Sequence, residues 1–200
     1  MFGYLPDTLE IGGIEYEINS DFRVCIATLM MLEDDDLSDD EKIVIMMVRL
    51  FGEESIAKIT EFGEACRKTI WFLNCGRDSE PREDGFAIPS SLIMDWEQDE
   101  RLIFAGIAKT VGRDIRADEY CHFWSFMAYF MGMGECAFTT VKSIRYKIAR
   151  HQKLEKWEQV FYRENREIID IRKNIEKGER LFNEVFGLGQ NEDSSFVEMI

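Results

Sequence analysis

Leu9-Glu10-Ile11-Gly12-Gly13-Ile14-Glu15-Tyr16-Glu17-Ile18 alternates apolar and acidic residues on either side of two glycines. A period of two puts the apolar side chains of an extended chain on one face, and Gly-Gly accepts the positive φ angles of a tight turn. The stretch therefore predicts a β-hairpin. The rest of the chain reads differently: its apolar residues recur at spacings of three and four. The predicted fold is mainly α: a helical domain with a small N-terminal β-hairpin and a long C-terminal amphipathic helix.

Moving outward from the hairpin, Ser20 or Asp21 can cap a helix from Phe22 to about Leu32. Glu33 to Glu41 is an acidic loop, and Ser38 with Glu41 has the spacing of a capping box. Ile43, Met46, Met47 and Leu50 supply the apolar face of the next helix. After Gly52 a helical pattern runs through Ile56, Ile59, Phe62, Cys66, Ile70 and Leu73 and stops at Asn74-Cys75-Gly76. Residues 76–91 hold two of the three prolines and read as a loop. Asp95, with Gln98 in the capping-box position, is expected to start a helix running to Val111. Asp118 is expected to start another, through the aromatic stretch His122 to Met131, and Glu135 begins a further one.

The last segment is the most regular. With Leu154 set at heptad position a, Leu154, Trp157, Phe161, Ile168, Ile171, Ile175, Phe182 and Val185 fill eight of ten a and d positions, Glu164 and Gly178 being the exceptions. That pattern predicts one apolar seam along a helix about 48 Å long. Such a helix lies on its own domain or packs against another chain. The expected division is a hairpin plus helical domain over 1–150, the long helix over 151–187, and a flexible acidic tail over 188–200.

Composition bounds the function. The chain has 200 residues, 46% of them hydrophobic and 32% charged, which is enough to bury a core and excludes wholesale disorder. Its net charge of −15 has the wrong sign for non-specific nucleic-acid binding or for an anionic membrane surface. The longest uncharged run, Tyr120 to Gly134, is too short to span a bilayer. Five cysteines without a C-x-x-C pair predict free thiols in a reducing cytoplasm, and the N-terminus lacks the pattern of a signal peptide. Charge is uneven: residues 1–41 hold 12 acids against Arg23 alone, whereas residues 142–187 hold 12 bases against 8 acids. That asymmetry suggests head-to-tail contact, within a chain or between copies.

No constellation passes as a catalytic, cofactor or metal site. Asp34, Asp36 and Ser38 lack the glycine and glutamate that complete a calcium loop. Glu119-x-x-His122 lacks the second copy a di-iron bundle requires. Gly132-x-Gly134-x-x-Ala137 is not preceded by a strand, so its letters alone do not make a dinucleotide site. Cys121 and His122 are adjacent and point about 100° apart on a helix, with no third orienting group. The aromatic residues Trp124, Phe126, Tyr129 and Phe130, with Trp157 and Phe161, are expected in the core, any exposed ones being partner anchors.

Several segments together resemble a known family. The hairpin followed by Asn-Ser-Asp-Phe-Arg (19–23), Asp95-Trp-Glu-Gln-Asp99 leading into RLIFAGIAKTVGRDI, the run HFWSFMAYFMGMGE and Ser143-Ile-Arg145 are similar to the small siphophage proteins called bacteriophage gene-product-fifteen proteins, over roughly residues 5–175. The resemblance implies a non-catalytic tail assembly chaperone, in the host cytoplasm and absent from the mature virion, that binds the tape measure protein and keeps it soluble while the tail tube assembles. On that reading copies associate as a homo-oligomer through the C-terminal helix, with Leu154, Trp157, Phe161, Ile168, Ile171, Ile175 and Phe182 as the partner-binding residues. No cofactor, nucleic acid or membrane is implied. An acidic inhibitor mimicking nucleic acid and a minor structural tail protein are the competing readings.

Overall fold

The computed structural model describes residues 3–78 and 90–173; Ile175, Phe182, the end of the expected seam and the tail lie outside them. The protein is mainly α, with one two-stranded antiparallel sheet at the N-terminus. The chain forms two compact units, one of residues 3–78 and 99–140, the other of residues 90–98 and 141–173 among those described.

The first unit opens on the hairpin, β1 (Thr8–Ile11) and β2 (Ile14–Glu17). Gly12 and Gly13 turn with φ of 59° and 79°, the left-handed values that the two-glycine turn requires. Leu9 and Ile11 are buried, while Glu10 faces Glu15 across the strands and both are exposed. Helix α1 (Phe22–Leu32) starts at Asp21, whose Oδ1 accepts the Arg23 N–H at 2.9 Å. Helix α2 (Asp39–Phe51) starts with the Ser38–Glu41 capping box, both halves of which are made. The pattern after Gly52 divides into a short α3 (Glu53–Ile56) and α4 (Phe62–Leu73), separated by residues 57–61.

Two helices begin later than expected. Asp95 does cap, its Oδ1 accepting the Glu97 and Gln98 N–H groups, but what it caps is a turn over 96–99 that leads into α5, which runs Glu100–Val111. Asp118 does not open a helix; α6 runs Phe123–Met131. Its start is delayed because residues 121–122 are extended, paired with the beginning of α1. Phe22 N–H donates to the Cys121 carbonyl at 3.0 Å and Phe123 N–H to the Ser20 carbonyl at 2.7 Å. An extended pair of that kind is incompatible with helical dihedrals at those positions.

Phe123 and Phe126 of the aromatic run are buried in the core, and Trp124, Tyr129 and Phe130 are half-buried. Phe22 stacks on Phe126 with centroids 4.6 Å apart, Phe126 on Phe130 at 6.4 Å, and Phe72 on Trp124 at 5.8 Å. Phe72, Phe123, Phe126 and Phe138 are all buried, and such residues carry about 3–5 kcal/mol each against truncation to alanine. Helix α7 (Ala137–Ala149) follows. The expected continuous C-terminal helix is a correction. From 154 onward the described chain forms α8 (Lys156–Glu164) and α9 (Arg166–Ile169), broken at Asn165, whose φ of −129° is not helical. Asp170 then leaves α9 in an extended conformation. Heptad periodicity reports which residues share a side; it does not report whether the backbone between them stays helical.

Candidate interaction surfaces

Helix α8 places its side chains against the usual rule. Glu158 is 2% exposed, whereas Trp157 beside it is 54% exposed and Val160 is 44% exposed. The buried carboxylate is fully used: Lys147 Nζ of α7 donates to its Oε1 at 2.6 Å, and the Glu155 N–H donates to its Oε2 at 2.8 Å. Burial on its own would raise the Glu158 carboxyl, but those two donors and the ammonium charge outweigh it, and the net direction is down. Pinning Glu158 inward turns the opposite side of α8 outward. There, Trp157 Nε1 donates to Glu155 Oε2 at 2.9 Å, which holds the indole in one orientation at the surface. Lys156 and Arg163 flank Val160 at helical spacings of four and three, and all three are exposed.

The same unit has a second buried polar joint. Arg145, 3% exposed, donates from Nε to the Ile169 carbonyl at 2.6 Å and from Nη2 to the Ile168 carbonyl at 2.7 Å. Gln98 Nε2 donates to the Asp170 carbonyl at 2.9 Å, and its Oε1 accepts the Arg172 N–H at 3.0 Å. Carbonyls at a helix end have no partner within the helix, so a cation and an amide here supply what α9 lacks. Gln98 is thereby taken from the capping-box role expected of it. Arg145 and the stretch Asp95 to Gln98, both within segments that carry the family resemblance, thus converge on α9.

In the first unit the segment Asn19 to Arg23 meets the segment before α6. Asp21 Oδ2 accepts the Cys121 N–H at 3.2 Å, Arg23 Nη2 donates to the Asp118 carbonyl at 2.7 Å, and Ser20 Oγ lies 2.7 Å from the Tyr120 hydroxyl. His122, buried, accepts the Trp124 N–H on Nδ1 at 3.0 Å and lies through Nε2 3.0 Å from the Pro6 carbonyl. A carbonyl only accepts, so Nε2 is the donor to Pro6 and both ring nitrogens are engaged. His122 is a helix cap; Glu119, three residues before it, is exposed.

The expected partner-binding residues do not share one face. Trp157 and Ile168 are exposed, Leu154 and Phe161 half-buried, and Ile171 is buried. Sequence reading missed Val160, which is off the heptad register, and missed the burial of Glu158, because glutamate is outside the usual N-cap set and Glu155-x-x-Glu158 did not announce a helix start. The apolar spacing on α4 was read, but not its exposure. Phe62 and Ile70 are each 42% exposed, and Cys66 between them is half-buried, all at spacings of four on one side of the helix.

Among the described residues no group of three or more His, Cys, Asp and Glu side chains could hold a metal ion. Burial pushes the thiols of Cys25, Cys66, Cys75 and Cys121 up, so they stay protonated at neutral pH. No described helix is long and apolar enough to cross a membrane.

Buried polar joints thus hold outward-facing aromatic and aliphatic side chains on α4 and α8 of a mainly helical protein. The family described as Bacteriophage Gp15 protein matches residues 1–171, and the chain belongs to that family. No curated protein and no solved structure matches it.

Proposed function

We propose that this bacteriophage Gp15-family protein is a non-catalytic tail assembly chaperone. It binds the tape measure protein in the host cytoplasm, keeps it soluble while the tail tube assembles, and is left out of the mature virion. The observation that carries the reading is the α4 stripe of Phe62, Cys66 and Ile70, an apolar row with helical spacing on the outside of a folded unit. Rows of that kind accept the apolar face of another helix. Family membership and the net charge of −15, which keeps a loaded complex in solution, support it further.

The test is co-expression of the full chain with the tape measure protein of the same phage, followed by partition into soluble and insoluble fractions. The expected result is a soluble complex with the wild type and loss of that complex with Phe62→Asp/Ile70→Asp, whose circular dichroism stays native because both positions are exposed. An insoluble tape measure protein beside well-folded wild type overturns the proposal. So does the presence of this chain in purified particles in stoichiometric amount, which makes it a structural tail protein.

A further inference from the structure

The outward face of α8 is apolar and basic, whereas the first unit of the same chain is strongly acidic. Residues 3–78 and 99–140 carry 23 acidic against 11 basic side chains, a net charge of −12; residues 90–98 and 141–173 carry 7 against 10, a net of +3. Isolated charge would say little. Here the basic surface also presents Trp157, fixed by its bond to Glu155, and Val160, with Lys156 and Arg163 beside them and Glu164 as the one acid among the exposed residues of α8. An aromatic anchor held in one orientation has already lost the rotamer entropy that binding would otherwise cost.

The hairpin of the first unit has matching features. Glu10 and Glu15 stand directly opposite each other on its exposed side, a like-charge pair that destabilises a two-stranded sheet until a cation covers it. Glu17, two residues beyond Glu15, is exposed on the same side at the end of β2, whereas Ile14, paired with Ile11, lies on the other side of the hairpin. The acidic groups on this face complement the basic groups on α8.

We propose that the occupant of the α8 face is the hairpin of a second copy of this chain, with Lys156 and Arg163 against Glu10, Glu15 and Glu17, and Trp157 seated beside them. The contact is heterologous: each copy offers one face of each kind. Such contacts propagate from copy to copy unless they close into a ring. The proposal does not rest on the tape measure reading, since assembly is measured on this chain alone.

The experiment is sedimentation of the full-length chain over a concentration series, at low and at high salt, for the wild type and two charge-reversed variants. Wild type is expected to gain mass with concentration and to lose it in salt. Lys156→Glu/Arg163→Glu and Glu10→Lys/Glu15→Lys are each expected to be monomeric. Reversing both members of the glutamate pair keeps the same like-charge repulsion within the hairpin, so folding is matched, with circular dichroism as the check. Mixed in equal amounts, the two variants match at both faces, intact with intact and reversed with reversed, and are expected to assemble although neither does so alone. A wild type that stays monomeric at all concentrations overturns the proposal. So does a hairpin variant that assembles like wild type while the α8 variant does not, which would mean that α8 pairs with α8. A mixture that remains monomeric overturns it as well.

Discussion

Lys147 Nζ and Glu158 Oε1 lie 2.6 Å apart, and this ion pair sets which side of α8 faces outward. The carboxylate is nearly inaccessible, while the lysine side chain is 27% exposed, so charge on Glu158 depends on a partner that reaches in from the surface. Removing the partner alone is therefore costlier than removing both. Lys147→Met should destabilise the protein by about 3 kcal/mol, as breaking one side of a buried pair does. Adding Glu158→Gln should recover more than about 1 kcal/mol of that loss. Urea titrations of the two single variants and the double variant measure the coupling directly; additive costs would show that the pair contributes nothing beyond packing.

Acid should unfold the protein partly through this residue. The folded-state value of the Glu158 carboxyl is lowered below its unfolded value. A lowered carboxyl contributes stability that is fully present above the unfolded value, about 4.3, and is lost as pH falls through the folded value. Between roughly pH 5 and pH 3, wild type should lose stability more steeply than Glu158→Gln. Parallel acid limbs from thermal melts at stepped pH would contradict this.

His122 caps α6 and ties it to Pro6 at the same time. His122→Ala loses the cap and the bond to the Pro6 carbonyl, and is expected to cost about 2 kcal/mol. His122→Asn can restore the cap but does not reach the carbonyl, so about half the loss should return. If Asn restores nothing, packing of the ring against Phe72, whose centroid lies 5.9 Å away, is the main contribution.

Gly76 closes α4 with φ of 78°, and a Cβ there would come within 2.9 Å of the Trp124 ring. Gly76→Ala combines a left-handed conformation with that collision. The expected loss is about 2 kcal/mol, read as a lowered midpoint in urea with an unchanged slope. Tryptophan near-ultraviolet circular dichroism should change with it, because Trp71 and Trp124 pack edge to face at the same place.

How much was legible in the sequence depended on whether a signal was local. The hairpin, α1 and the Ser38–Glu41 box followed from residues a few positions apart, and each formed as read. The starts of α5 and α6 did not, because Gln98 is claimed by the backbone around α9 and residues 121–122 by the backbone before α1. Those partners lie 70 or more residues away, and nothing in a local pattern names them. The seam failed for a related reason. Leu154, Trp157, Phe161, Ile168 and Ile171 keep their spacing, but Asn165 and Asp170 break the helix between them, and a buried Glu158 turns the first piece over. On α4 the period was visible from sequence, yet periodicity marks a face without saying whether anything covers it, so the exposure of Phe62 and Ile70 was not legible.

The junction of Asp21 with Cys121 and His122 also has a consequence in time. Its two strands of backbone are separated by 100 residues of chain, so the first unit cannot close when its N-terminal helices emerge from the ribosome. At translation rates of about 5–20 residues per second, the hairpin and α1 wait roughly 5–20 s for their counterpart. During that interval the faces of Phe22, Cys25 and Phe72 are open to whatever else the cell is making. Early life for this chain is thus a period in which it depends on not being intercepted, and truncated products ending before α6 should be degraded or aggregate.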